Sequence, residues 1–213
     1  MLAPSLFVPA MLSSRGAKGV LGVRKIIVST YVTLDGVIQP IDWSAQSQDP
    51  ASIEERGRYA RDLLFSADAL LMGRGTYEIF AEAWPTRTSA DDDPGAAGVT
   101  DRINSLPKYV ASTTLKEPLS WNATLLGEDV PKEIAKLKEQ PGKNIVMYGC
   151  GQLAKTLIEH DLADEFRFWV YPVVRGRGTR LFEDAINTDL ELVDTRAFGG
   201  GFVVLTCRPK KAT

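Results

Sequence analysis

The sequence predicts an α/β fold with a mostly parallel central sheet and antiparallel strands at its edge. Three observations predict it. Short β-branched runs alternate with segments of helical periodicity, which favours a parallel sheet. The last two runs, Leu190 to Thr195 and Phe202 to Cys207, follow each other with no helix between them, the pattern of an antiparallel edge. No repeat and no long polar linker divides the chain. Its 213 residues therefore read as one domain over 24–209, preceded by a flexible extension over 1–23.

Each element has its own signal. Arg24 to Val32 is rich in β-branched residues and reads as a strand, which Asp35-Gly36 breaks. Gln39 to Pro50 is a polar loop carrying Trp43. Ser52 to Ser66 spaces Ile53, Tyr59, Ala60, Leu63 and Leu64 as an amphipathic helix. Ala69 to Met72 is a short buried strand closed by Gly73, and Thr76 to Ala83 is a helix. Trp84 to Gly98, with two prolines and Asp91-Asp92-Asp93, reads as a solvated loop. Lys108 to Ser112 and Ala123 to Leu126 are strands. Val130 to Gln140, with Pro131 in its first turn, is a helix. Asn144 to Tyr148 is a strand, Gln152 to His160 a helix, and Glu165 to Tyr171 a strand.

Composition narrows the chemistry. Lys and Arg number 25 against 27 Asp and Glu, so no basic excess points to nucleic acid or a membrane surface. Two cysteines leave no disulfide framework or cysteine-rich metal site, and one histidine removes mechanisms built on a histidine pair. No metal is expected. No apolar run reaches the ~18 residues of a membrane span. The segment before residue 24 holds no acid, and no positive charge precedes its apolar stretch Leu2 to Leu12. An extension suits it better than a targeting signal, and a cytoplasmic location is expected.

Two glycine-bearing turns stand at strand-to-helix junctions: Gly73-Arg74-Gly75-Thr76 and Gly149-Cys150-Gly151-Gln152-Leu153. Glycine lets a backbone approach a phosphate, and a helix N-terminus offers unpaired N–H donors. Two such junctions can hold one pyrophosphate-containing ligand between them, with Arg74 and Thr76 adding a cation and a hydroxyl. Ser112 and Thr113, just past a strand end, suit a further phosphate; each segment also reads as an ordinary capping or hydroxyl turn. Gly149 to Ala154 fits G-x-G-x-x-A, but no acid ends the next strand, which disfavours the dinucleotide fingerprint. On the substrate side, Asp35 is the candidate polar group, and Trp43 and Tyr148 can stack on or hydrogen-bond a flat heterocycle. Cys150 reads as a small residue permitting close approach.

These segments resemble the dihydrofolate reductase-like superfamily, and more narrowly the stand-alone relatives of the riboflavin-pathway pyrimidine reductase domain. The residues that carry the resemblance are Leu34-Asp35-Gly36, Leu71 to Glu78, Leu106 to Ser112, Tyr148 to Ala154, and Leu162 through Phe182. The resemblance implies a three-layer α-β-α fold and an NADPH site at Gly73, Arg74, Thr76, Ser112, Thr113, Gly149, Cys150, Gly151, Gln152 and Leu153. It also implies a cis peptide at Gly149–Cys150. The acid that folate reduction uses falls here at Gly57, with Glu54 and Glu55 one turn away. The acid that usually precedes the paired glycines is Tyr148. The expected function is NADPH-dependent reduction of a small pteridine- or pyrimidine-like heterocycle. Alternatives are a nucleotide-binding protein that kept the fold without turnover, and a protein whose main role is assembly. Relatives of this kind often dimerise, which makes a homodimer one expected state.

Overall fold

Ile26–Thr33 forms the first strand, β1, two residues later than the composition suggests. Arg24 is drawn off it, donating to the Lys143 carbonyl and pairing with Asp68. The computed structural model describes residues 23–39, 49–182 and 187–210. Trp43 and residues 1–22 of the expected extension lie outside the described residues.

A three-residue strand, β2 (Val37–Gln39), follows β1. Helix α1 (Pro50–Phe65) begins earlier than periodicity indicates. Asp49 accepts from the Ser52 amide at 3.0 Å, and Pro50 fits the first turn, where its missing N–H is not needed. Then come β3 (Ala67–Gly73), α2 (Arg74–Ala83), α3 (Val99–Ser105), β4 (Lys108–Ala111), β5 (Ala123–Leu125) and α4 (Val130–Glu139). The chain continues through β6 (Asn144–Tyr148), α5 (Gln152–Glu159), β7 (Glu165–Tyr171), β8 (Thr179–Arg180), β9 (Leu190–Ala197) and β10 (Val203–Pro209). Strands β2 and β8 and helix α3 have no counterpart in the sequence reading. They are two, three and seven residues long, too short to show a period.

Eight strands form one sheet in the order β5-β4-β3-β6-β1-β7-β10-β9. The first six run parallel, and β10 and β9 are antiparallel at one edge, as the strand pattern predicts. Strands β2 and β8 pair separately. Both faces of the large sheet are covered. On one, Ile26, Val28, Ala69, Leu71, Ile145, Met147, Phe166 and Phe168 pack against Ile134 and Leu137 of α4 and Leu153 and Leu157 of α5. On the other, Ile27, Leu70, Met72, Val110 and Val146 meet Leu63 and Leu64 of α1, Tyr77 of α2 and Ile103 of α3. Strand β7 is buried on both faces, so its residues show no simple in-out alternation: Trp169 and Tyr171 join Phe198, Phe202 and Val204 in a third, aromatic cluster. The result is the three-layer α-β-α, dihydrofolate reductase-like architecture. Among the described residues, no helix is long and apolar enough to cross a membrane.

Candidate cofactor and substrate site

The order of strands sets where a ligand can enter. From β1 the chain steps outward through β3, β4 and β5, returns to insert β6 beside β1, and then leaves the other way through β7. Crevices in open α/β sheets lie at the carboxyl ends of strands where such a reversal occurs. Pairing between β1 and β6 stops at Ser29 and Tyr148, while β1 stays paired with β7 as far as Thr33 and Tyr171. The sheet therefore parts beyond Ser29.

A cavity of about 580 Å³ opens there. Its walls include Gly73, Arg74, Thr76, Ser112, Thr113, Gly149, Cys150, Gly151, Gln152 and Leu153, so all ten residues expected at the cofactor line one space. Thr114, next to Ser112 and Thr113, lines it too, as do Thr30, Met147 and Thr156 and, from the small sheet, Gln39 and Thr179; sequence reasoning missed these last five. Gln39 and Thr179 sit on strands too short to recognise, although Gly176 and Gly178 mark a turn nearby.

The turns interlock. Gly149 has φ +82°, and a Cβ there would lie 2.8 Å from the Thr76 hydroxyl oxygen. That hydroxyl donates to the Tyr148 carbonyl at 3.4 Å, tying the start of α2 to the end of β6. The Gly149–Cys150 peptide is trans, which corrects the expected cis bond; among the described residues only Glu117–Pro118 is cis. A non-proline cis bond costs ~3–4 kcal/mol, and the positive φ of Gly149 makes the turn without it. Burial pushes the Cys150 thiol up to about 12, so it stays neutral despite its place at a helix start.

The helix ends differ in a telling way. Asp49 and Asp129 cap α1 and α4, and Asp92 accepts from the Gly98 and Thr100 amides at the start of α3. Helices α2 and α5, which open onto the cavity, have neither a side-chain cap nor an acid in the first turn. Their amide donors and positive dipole ends are left for an anion. At the rim, the Arg74 guanidinium donates to Thr114 Oγ1 at 2.9 Å and to Glu78 Oε1 at 2.8 Å. Ser112 Oγ accepts from the Thr114 and Leu115 amides, so it makes a hydroxyl turn while also lining the cavity.

Two of the substrate-side candidates, Asp35 and Tyr148, lie elsewhere. Asp35 does not line the cavity. Its carboxylate accepts from the Thr33 hydroxyl at 2.6 Å and from the Arg175 and Gly176 amides. The Thr33 bond first, then these amides, hold it down at about 2, so it is ionised at neutral pH and has no proton to give. Tyr148 points away from the cavity to the opposite sheet face, 5.9 Å from Phe80 between ring centroids. Burial raises its phenol, with the Tyr31 phenol adding to the effect. Tyr31 alternates with Thr30, so one strand separates the cavity from a tyrosine-lined face. Gly57 has a packing reason: a Cβ there would lie 2.2 Å from the Pro94 carbonyl oxygen, so the 94–96 backbone rests on α1.

Comparison with known proteins agrees with this architecture. The RibD C-terminal domain family matches residues 24–204. YyaP, an uncharacterized protein of Bacillus subtilis (strain 168), is 33% identical over 185 residues, 84% of this chain and 92% of its own. YwjB of the same organism is 29% identical over 177 residues, 83% of this chain and 93% of its own. A structure of a putative riboflavin biosynthesis protein from Shewanella sp. PV-4 superposes with a TM-score of 0.65 at 22% identity. It covers 88% of this chain and 99% of that one. The riboflavin biosynthesis reductase Rib7 of Saccharomyces cerevisiae superposes at 0.57 with 14% identity, over 92% and 93%. Fold, strand-end turns and sequence all lead to one conclusion: the chain belongs to the RibD C-terminal domain family.

Proposed function

We propose that the cavity holds NADPH and that the protein reduces a small pteridine- or pyrimidine-like heterocycle. The step would be similar in kind to that of 5-amino-6-(5-phosphoribosylamino)uracil reductase. One observation carries the reading: among the described residues, α2 and α5 alone combine an uncapped, acid-free first turn with an opening onto the cavity. Two such ends, closed by a turn whose Gly149 takes a left-handed φ of +82° that favours glycine, fit a pyrophosphate. Arg74, Ser112, Thr113 and Thr114 supply a cation and hydroxyls for a third phosphate on the adenosine half. Bound there, the nicotinamide supplies a hydride; the chain positions it and the substrate. Asp35, ionised and tied to the 175–176 backbone, acts in this scheme by fixing the loop beside β2 and β8.

Nicotinamide fluorescence titration tests the proposal. NADPH is expected to bind in the micromolar range, and Arg74→Ala to weaken NADPH about tenfold more than NADH, the worth of one charged hydrogen bond. Equal losses for the two cofactors would remove Arg74 from the third phosphate. No binding of either at millimolar concentration would sink the cofactor reading. Tight binding with no nicotinamide oxidation across a panel of pterins and aminopyrimidines would leave a nucleotide-binding protein without turnover.

A further inference from the structure

One side chain in the cavity wall is buried without a close partner. Thr30 lies one residue past Ser29, where the pairing of β1 with β6 stops. It shares its face of the strand with Ile26, Val28 and Val32, and its partner on β7 is Phe168. That is the face on which α4 and α5 pack, so the Thr30 side chain is directed toward the cavity that it lines. Only 5% of the residue is exposed. Among the described residues its hydroxyl has one contact, the Tyr31 carbonyl at 3.5 Å, well beyond the roughly 2.5–3.0 Å of an O–H···O bond.

Ser29, Thr33, Ser52 and Thr100 are buried as deeply, and each of their hydroxyls is served. Ser29 Oγ accepts from the Trp169 indole at 3.1 Å, and Thr33 Oγ1 donates to Asp35 at 2.6 Å. Ser52 Oγ donates to the Gly199 carbonyl at 2.5 Å, and Thr100 Oγ1 to Asp92 at 2.6 Å. Buried hydroxyls are ordinarily paired in this way, because a dry, unpaired one is costly. Thr30 faces a space instead. Water can serve it there, and a ligand that displaces the water must take its place.

The inference that follows rests on the cofactor reading above. In that reading the ends of α2 and α5 take the pyrophosphate, and Arg74 with Ser112 to Thr114 takes the third phosphate. The wall left over includes Thr30, Ile38, Met147 and Thr179. Ile38 and Met147 belong to the core and offer a flat ring apolar contact. The part of the cofactor still to be placed is the nicotinamide with its carboxamide. We propose that the Thr30 hydroxyl donates to the carboxamide oxygen and so fixes how the nicotinamide ring is turned in the cavity. A hydroxyl proton rotates to meet its acceptor. Holding the ring by one edge decides which of its faces meets the substrate, which makes Thr30 a positioning residue for hydride transfer.

The test compares Thr30→Val, which keeps the shape and removes the hydroxyl, with Thr30→Ser, which keeps the hydroxyl. NADPH and 2′,5′-ADP, which has the phosphate end and no nicotinamide, are titrated into the full chain by calorimetry. Thr30→Val is expected to bind NADPH about fivefold more weakly, the worth of one neutral hydrogen bond, and 2′,5′-ADP as the wild type does. Thr30→Ser should recover most of the difference. Without ligand, Thr30→Val should unfold at the same urea concentration as the wild type or a higher one, since the fold loses no close bond. A lower midpoint would give the hydroxyl a structural partner and overturn the assignment. So would unchanged NADPH affinity in Thr30→Val, an equal loss of 2′,5′-ADP, or a Thr30→Ser protein as weak as Thr30→Val. A wild type that binds neither ligand overturns the cofactor reading and this assignment with it. One that binds both, with no effect of Thr30→Val, keeps that reading and removes Thr30 alone.

Discussion

Thr30 and Tyr31 are neighbours on one strand, yet they border two unlike regions. On the Thr30 side lies a cavity made of glycines, hydroxyls and helix ends, with Arg74 as a cation at its rim. On the Tyr31 side, Tyr31, Tyr171 and Phe202 pack ring against ring, and the Arg56 guanidinium stacks over Phe202. The first region is built from three contiguous turns, each a few residues long. The second draws single residues from β1, α1, the 92–98 loop, β6 and β7. A surface made of backbone donors suits a ligand rich in phosphate.

The largest effect should come from breaking the second region at its crossing point. In Gly57→Ala the added Cβ would sit 2.2 Å from the Pro94 oxygen and 3.1 Å from the Ala96 amide. Both are backbone atoms in a pinned loop, so relief requires the loop to lift from α1. A loss of about 3 kcal/mol is expected by urea denaturation, the upper end for overpacking. Well below the transition, the folded variant should keep its NADPH affinity. A Gly57→Ala protein as stable as the wild type would show that the loop is not held there.

A smaller effect is expected on the other side. Gly149→Ala places a side chain at φ +82°, a strain of about 1–2 kcal/mol, and presses on the Thr76 hydroxyl. Because that hydroxyl ties α2 to β6, NADPH affinity should fall. The two glycine variants then differ at the cavity, and a Gly149→Ala protein that keeps its NADPH affinity would detach this turn from the cofactor.

What could be read in the sequence follows this division. Glycine at Gly73, Gly149 and Gly151 with hydroxyls at Thr76, Ser112 and Thr113 announces a strand-end cradle within a few residues, and all of them line the cavity. The parallel order of the strands and their antiparallel edge were legible for the same local reason. Arg56 and Asp93 carry no shared spacing, and the packing of Pro94 on Gly57 brings their chain segments together. Asp35 shows what a local reading leaves out. An Asp-Gly after a strand looks like a reactive corner, but its partners at Arg175 and Gly176 lie about 140 residues away. Helix α3 and strands β2 and β8 escaped because seven, three and two residues cannot display a period.

Asp35 supplies the mildest perturbation, and it acts on the outer wall of the cavity. Its carboxylate joins Thr33 to the 175–176 backbone, and its own carbonyl accepts from Arg180 Nη1 at 2.7 Å, next to Thr179 on β8. The bonds to the charged form hold the group at about 2, below its ordinary 3.8. The folded state therefore gains from the ionised carboxylate above pH 4 and loses that gain as pH falls from about 4 toward 2. Asp35→Asn should be less stable than the wild type at pH 7, and the gap should close in acid. Hydrogen exchange should quicken at the 175 and 176 amides in the variant, with a slight fall in NADPH affinity as Gln39 and Thr179 loosen. A stability gap constant from pH 7 to pH 2 would mean that Asp35 works through its shape rather than its charge.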